Sequence, residues 1–218
     1  MDYPDRETYR KLYARYLTRR PAAVLLDLAG DLSGKRVVDL CGGAGELSVG
    51  AAERGAADVT WVDQCAQMCD TAAVLAAGVS VHHMDVGLWL FIPKRKESRA
   101  DVIFCRQAVN YWLDGDGALS VAENLRPGGL FIFNTFNRKP AAKPTVKEYE
   151  LEGRKYVEVS WLGPDNVVRH VQNCEGLEPH ATRFDWISPK KFREWLGPFF
   201  EVEERRHGGT SLYRCQKK

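Results

Sequence analysis

A chain of 218 residues, 44% hydrophobic and 28% charged, has the size and balance of one well-buried globular core. A formal net charge of +2, with acids and bases mixed along the chain, asks for neither a nucleic acid nor a membrane surface. No apolar run reaches the ~18 residues of a membrane span, and the start "MDYPDRETYRKLYARY" lacks a secretory pattern, so a cytoplasmic protein is expected.

Two helices open the chain. "RETYRKLYARYLTRR" puts Tyr9, Leu12, Tyr13, Tyr16 and Leu17 on one side, and "PAAVLLDLAG" carries proline in its first turn and glycine at its end. From residue 36 to 135, short β-rich runs alternate with helical stretches. "RVVDLC" reads as a strand, with a helix from Glu46 to about Arg54. "ADVTWVD" is the second strand, and "CAQMCDTAAVLAAG" is a helix ended by Gly78. "VSVHHMD" and "ADVIFC" are the third and fourth strands, with His82 and His83 read as structural. Between them the basic run Lys94-Arg95-Lys96, followed by Glu97 and Arg99, reads as a solvated loop. A helix from about Ala118 to Leu125 stops at "RPGG", and "LFIFNTF" is the fifth strand. Near-continuous apolar strands spaced by helices mean an α/β protein whose parallel sheet is covered on both faces.

The style then changes. Residues 148 to 187 alternate as antiparallel strands, with a hairpin turn at "GPDN" between "KYVEVSW" and "VVRHVQN". "SPKKFREWLG" is a capped helix, and "FFEVEERR" and "TSLYRCQ" are the last strands. One domain over residues 1–218 is expected, with helices over 1–30 and a strand-rich insertion over 136–187. The six cysteines form no Cys-x-x-Cys pair. Cys65 and Cys69 are expected on one helix face, without a His or Cys pair to complete a zinc site, so free thiols and no metal are expected.

The chemistry gathers at the ends of these strands. In "VVDLCGGAGELS" the order is Asp39-x-Cys41-x-Gly43-x-Gly45, with Gly42 between. A glycine-rich turn after a first parallel strand lets backbone approach a nucleotide and aims a helix N-terminus at it. The spacing is tighter than the G-x-G-x-x-G that accommodates a pyrophosphate, and suits a compact nucleoside. With Asp63 in "WVDQCAQM", Asp85 in "HHMDV", "ADVIFCRQAVNYW" and "NLRPGGLFIFNTF" in that order, the chain resembles a class I S-adenosylmethionine-dependent methyltransferase over roughly residues 10 to 216, Cys41 filling the first glycine position. In layout it is similar to the methyltransferases that act on amino sugars, glycine and similar metabolites.

The resemblance implies a Rossmann-like, mostly parallel seven-stranded sheet, an N-terminal helical lid, a small antiparallel insertion after the fifth strand, and S-adenosylmethionine as cofactor. It implies that Asp63 binds the ribose hydroxyls, with Gln64 and Met68 flanking the adenosine. Asp85 then meets the adenine amino group and Val86 offers backbone. Each acid has a plainer alternative: Asp39 caps a turn or holds the loop near the cofactor's amino group, Asp63 caps a helix, and Asp85 sits in a loop. Tyr13 and Tyr16 are either packing residues or a lid whose aromatic faces favour a sulfonium. Cys105, Arg106 and Gln107 fall beside the sulfonium, Arg106 or Gln107 holding the cofactor's carboxylate. Asn110 and Tyr111 are positioned to orient an acceptor, and Trp112 reads as core. Within the insertion lie Trp161, His170 and His180; His170 is either a solvent-facing strand residue or the general base, since histidine titrates near neutrality.

Methyl transfer to N or O of a small-molecule metabolite or natural product is the first reading, with a small-molecule acceptor as partner and a monomer or homodimer as assembly. The alternative is an enzyme that cleaves or cyclises the same cofactor, releasing methylthioadenosine. The Asn-Pro-Pro-Tyr or Asp-Pro-Pro-Tyr that in the family it resembles marks transfer to planar amide or base nitrogens does not follow the fourth strand, so the resemblance weighs against nucleic-acid methylation.

Overall fold

A computed structural model describes residues 4–13, 21–69, 71–207 and 209–218. Its elements in chain order begin with α1 (Arg6–Leu12), α2 (Pro21–Ala29), β1 (Arg36–Leu40), α3 (Glu46–Glu53) and β2 (Asp58–Asp63). There follow α4 (Thr71–Ala76), β3 (Ser80–His83), α5 (Val86–Phe91), β4 (Ala100–Arg106), α6 (Gly115–Asn124) and β5 (Leu125–Phe136). An antiparallel run comes next, β6 (Thr145–Leu151), β7 (Arg154–Leu162), β8 (Val167–Cys174) and β9 (His180–Asp185). The chain closes with α7 (Pro189–Leu196), β10 (Phe200–His207) and β11 (Thr210–Lys217).

The seven-stranded sheet has the order β10-β11-β5-β4-β1-β2-β3. The pairs β1–β2, β1–β4, β2–β3 and β4–β5 are parallel, and β11 runs antiparallel to both β5 and β10. Alternation along each strand divides the apolar residues between the two faces. Val37, Val102, Phe104 and Ile132 pack against Leu25 and Leu26 of α2, Leu47 of α3 and Val74 of α4. Val38, Leu40, Ile103, Phe131 and Phe133 pack against Trp89 of α5, Val121 of α6 and Phe192 of α7. Each such fully buried side chain stabilises the fold by roughly 1.5–3 kcal/mol over an exposed one. Because β4 and β1 bridge β5 and β2, the order reverses at the centre, and the carboxyl ends of β1 and β4 open a crevice there.

The second sheet has four strands in the order β6-β7-β8-β9. Its central hairpin turns where expected: the Gly163 amide donates to Val167 O (2.9 Å), and Asn166 takes φ 61°. This sheet and α1 share a core of their own, built from Leu12, Tyr13, Tyr156 and Cys174. The Tyr156 hydroxyl donates to the Lys11 carbonyl (3.0 Å), tying α1 to β7.

Three local expectations change. The helix expected over residues 65–78 is a 3-10 turn (Ala66–Met68), an extended Cys69 and then α4, so Cys65 and Cys69 do not share a helix face. The break lets Met68 be buried at the crevice while Val74 of α4 packs on the glycine loop. Residues 86–91, read as part of no element, form α5, because the Asp85 side chain accepts from the Leu88 amide (3.0 Å) and caps it. The helix expected from Ala118 begins at Gly115, where Asp114 accepts from the Gly117 amide (2.8 Å); the two glycines conceal that start. Tyr16 and Leu17 lie outside the described residues. All six cysteines are free thiols, and no helix among the described residues is long and apolar enough to cross a membrane.

Candidate active site

The loop after β1 is shaped by what surrounds it. Cys41 has φ 54°, Gly43 φ 53° and Gly45 φ 86°, so the turn passes three times through left-handed backbone. A Cβ on Gly45 would stand 2.4 Å from Val74, and one on Gly42 would stand 2.3 Å from the Trp61 ring. The Trp61 indole donates to the Gly43 carbonyl (3.2 Å), fixing the loop over β2. Cys41 occupies a left-handed position at a cost of about 1–2 kcal/mol. Its thiol lies beside that of Cys105, and the contact with Cys105, followed by burial, pushes it well above its ordinary pKa.

Asp63, at the end of β2, accepts from the Gly43 amide on one oxygen (2.9 Å) and from the Cys65 amide on the other (2.8 Å). Burial raises its pKa, and these two hydrogen bonds oppose the rise. Each carboxylate oxygen has two lone pairs, so each retains an acceptor site for one hydroxyl of a vicinal diol. Asp39 lies beneath the loop at 1% exposure, taking the Ser48 hydroxyl on one oxygen (2.7 Å). Its other oxygen is buried with no partner among the described residues, and burial raises its pKa to about 7.

One cavity collects most of the expected residues: Tyr13, Cys41, Gly43, Asp63, Gln64, Met68, Asp85, Val86, Arg106, Gln107, Tyr111 and His170. Gln107 stands at φ 56°, its amide donating to the side chain of buried Asn134 (3.1 Å). Arg106 donates to Glu46 in the first turn of α3 (2.7 Å), an ion pair set at the cavity wall. Asp39, Gly42, Gly45 and Cys105 stand behind the wall. Asn110 is not brought to the cavity. Its amide donates to the Asp185 carbonyl (2.9 Å) and its oxygen accepts from Thr135, so it clamps the turn after β4 to β5 and the end of β9. Both ends of its amide are thus engaged in holding these elements together, and it lines a neighbouring pocket beside Tyr111 and Trp112.

Several wall residues were not anticipated. Tyr9 lines the cavity and stacks on Tyr13 (4.5 Å between centroids), and burial raises its pKa to about 12. Its i, i+4 spacing to Tyr13 was the available signal. Trp112 packs on the core as expected and lines the cavity as well, and Phe136, Thr182 and Phe184 complete that wall. Phe184 stacks on Phe136 (5.3 Å) and takes the edge of Tyr111 (5.8 Å). Period-2 alternation puts Thr182 and Phe184 on one face, yet nothing local says which face meets the cavity. Tyr13 continues to the second sheet, its hydroxyl 2.7 Å from Nδ1 of buried His180.

With this geometry the comparisons with known proteins agree. A family model described as a methyltransferase domain matches residues 13–201. The chain belongs to the methyltransferase-domain family. Its fold is that of the class I S-adenosylmethionine-dependent methyltransferases, and the acid at the end of β2, the left-handed loop and the orphaned Asp39 oxygen fit that cofactor. The chain is 32% identical to a ubiquinone biosynthesis O-methyltransferase of Bordetella avium (strain 197N) over 117 residues, 52% of this chain and 48% of that protein. It is 30% identical to the protein of the same name from Neisseria meningitidis serogroup C (strain 053442) over 118 residues, 53% of this chain and 50% of that one. The chain thus spans about half the length of the curated relatives it matches. Among solved structures, Streptomyces venezuelae DesVI superposes with a TM-score of 0.71 at 15% identity, both chains covered fully. SAM-bound CalS10, an amino pentose methyltransferase from Micromonospora echinaspora, gives 0.69 at 15% identity, again over both full chains. At those identities the likeness is one of fold.

Proposed function

We propose that this methyltransferase binds S-adenosylmethionine at the β1, β2 and β4 strand ends and transfers its methyl group to N or O of a small-molecule metabolite or natural product. The observation that carries this reading is the two-sided cavity. Asp63, Gln64, Met68 and Asp85 line it on the side of the parallel sheet, while His170, Thr182 and Phe184 line it from the four-stranded sheet. The first group suits an adenosine, and the second is a wall with no part in holding one.

S-adenosylmethionine supplies an electrophilic methyl group on a sulfonium. The protein's part is to hold donor and acceptor in line and to exclude water. Asp63 takes the ribose hydroxyls, and Asp85 and Val86 stand at the adenine end. Arg106, already paired with Glu46, and Gln107, held by Asn134, flank the carboxylate of the cofactor's amino acid portion. Tyr9 and Tyr13 close the entrance with stacked rings. Tyr111 and Phe184 form the acceptor's aromatic wall. His170 is the base for an acceptor that arrives protonated: burial lowers its pKa from the ordinary value, so the ring is neutral near pH 7 and able to take a proton.

Product analysis tests the proposal. Enzyme with cofactor alone is expected to be nearly silent, and a pool of amine and hydroxyl metabolites is expected to release S-adenosylhomocysteine. Multiple-turnover methylthioadenosine from cofactor alone would replace this reading with a cleaving or cyclising enzyme.

A further inference from the structure

The inner face of the four-stranded sheet holds a buried polar group that the reaction described above leaves without a task. Ser160 of β7 stands opposite His170 of β8, and Glu158 stands opposite Gln172, so all four side chains share the face that meets the cavity. Glu158 is 4% exposed and Gln172 is fully buried. The Tyr149 hydroxyl donates to Glu158 Oε1 (2.9 Å), and Gln172 Nε2 donates to the Tyr149 oxygen (3.1 Å). Gln172 Oε1 is buried with no hydrogen-bond partner among the described residues. A carboxylate this deep in a small sheet is costly, and an apolar pair would serve packing better. An orphaned buried acceptor two residues from His170 compounds the cost.

Both features serve a ring that gains a proton. We propose that Glu158, with Gln172, is a positioning residue for His170: the carboxylate and the amide oxygen receive the imidazolium formed when His170 takes a proton from the acceptor. The inference rests on His170 being the base. In the step, the acceptor heteroatom loses one proton and the imidazole gains it. Stabilising the product of proton transfer favours the transfer itself, most for an acceptor whose pKa lies above that of the ring.

The groups acting on the ring from each neighbouring strand can be named. Burial lowers the His170 pKa most; Glu158 from β7 and the Gln172 amide from β8 raise it, and Lys147 from β6 and His180 from β9 lower it. Removing the Glu158 charge therefore moves the ring's titration to lower pH, whereas a purely structural Glu158 would change stability and leave the titration in place.

The test is a proton NMR titration of His170 in the full chain saturated with S-adenosylhomocysteine, its signal assigned by loss in His170→Ala. In Glu158→Gln, which keeps the Tyr149 contact, the midpoint is expected to fall, and Glu158→Asp should recover part of the shift. A midpoint within about 0.2 pH unit of wild type in a variant of unchanged Tm would overturn the proposal. Should Glu158→Gln not fold, Glu158→Asp decides alone, since its shorter arm withdraws the charge and an unmoved midpoint is again fatal. If the titration shifts as expected while His170→Ala retains full methyl transfer, it is the base assignment that fails and not the coupling.

Discussion

The parallel sheet offers the cavity strand ends and backbone, whereas the four-stranded sheet offers side chains from the middle of its strands. On the first side the lining groups are Asp63, Asp85, Gln107 and a loop with three left-handed residues, each within a few positions of a strand terminus. On the second they are His170, Thr182 and Phe184, spaced by alternation along β8 and β9. Strand ends of a parallel sheet converge on one place whatever the sequence between them, so a cofactor site there tolerates wide divergence in the helices. A sheet face changes its chemistry with every second residue. The same cofactor can thus be retained while acceptor selectivity is rewritten by a few side chains on one face.

The contrast would break first at Asp63. Asp63→Ala removes the proposed ribose acceptor and, because both of its oxygens already organise backbone, also loosens the loop at Gly43. A loss of about 1.5–3 kcal/mol in cofactor binding is expected, roughly ten- to a hundredfold in Kd. Calorimetric titration with S-adenosylhomocysteine measures it. An affinity kept within threefold would show that the strand-end acids do not hold the cofactor.

Asp39 sharpens the contrast through stability. Its carboxyl is raised from the ordinary 3.8 to about 7 by burial, so the folded protein holds the proton more tightly than the unfolded chain. Stability from this group is therefore present at pH 4, falls as pH rises towards 7, and is gone above it. Asp39→Asn removes the charge and its pH dependence. In the absence of cofactor the variant should exceed wild type by on the order of 1–3 kcal/mol at pH 8, a few degrees in Tm, and by little at pH 4. Parallel Tm-versus-pH curves for the two proteins would refute it. Binding is expected to move the other way, since the unpartnered Asp39 oxygen lies under the loop proposed to carry the cofactor.

Legibility divides along the same line. The glycine loop, Asp63 and Asp85 are readable because their meaning is local: a short loop, an acid ending a strand, a helix to follow. The facing wall is not, because Phe136 and Phe184 are joined only by tertiary folding. The clamp made by Asn110 is illegible for the same reason, its partners Thr135 and Asp185 lying 25 and 75 residues away. The short α5 escaped notice because six residues carry too little periodicity, and its cap, Asp85, already had another reading. Glu158 gives no signal at all, since a glutamate alternating in a strand reads as a solvent-facing residue.

The seam between the two regions is α1, which lines the cavity with Tyr9 and Tyr13 yet packs on the second sheet. Tyr156→Phe deletes the hydroxyl that holds the Lys11 carbonyl while keeping the ring stacked on Tyr149 (5.0 Å). About 0.5–1.5 kcal/mol of docking is lost, so cofactor affinity should weaken by roughly two- to tenfold. Hydrogen exchange over residues 6–13 should quicken while β1 and β4 stay protected. Unchanged exchange there would mean that α1 is held by its apolar contacts alone.

The smallest effect is expected at Cys41, where the loop departs from a glycine. Two terms oppose each other in Cys41→Gly. At φ 54° a side chain costs about 1–2 kcal/mol, whereas glycine's extra freedom in the unfolded chain costs roughly 0.5–1 kcal/mol. Loss of the packed thiol beside Cys105 takes up most of what remains, so the net change should stay within about 1 kcal/mol of zero. Affinity for S-adenosylhomocysteine should stay within threefold, because Gly43 and Gly45 carry the left-handed turns that follow and Asp63 anchors the loop through the Gly43 amide. Thermal unfolding and calorimetric titration on the same preparation check both halves. A tenfold loss of affinity at unchanged Tm would mean that the thiol itself touches the cofactor, and that the strand-end side recruits a side chain where backbone alone is argued to act.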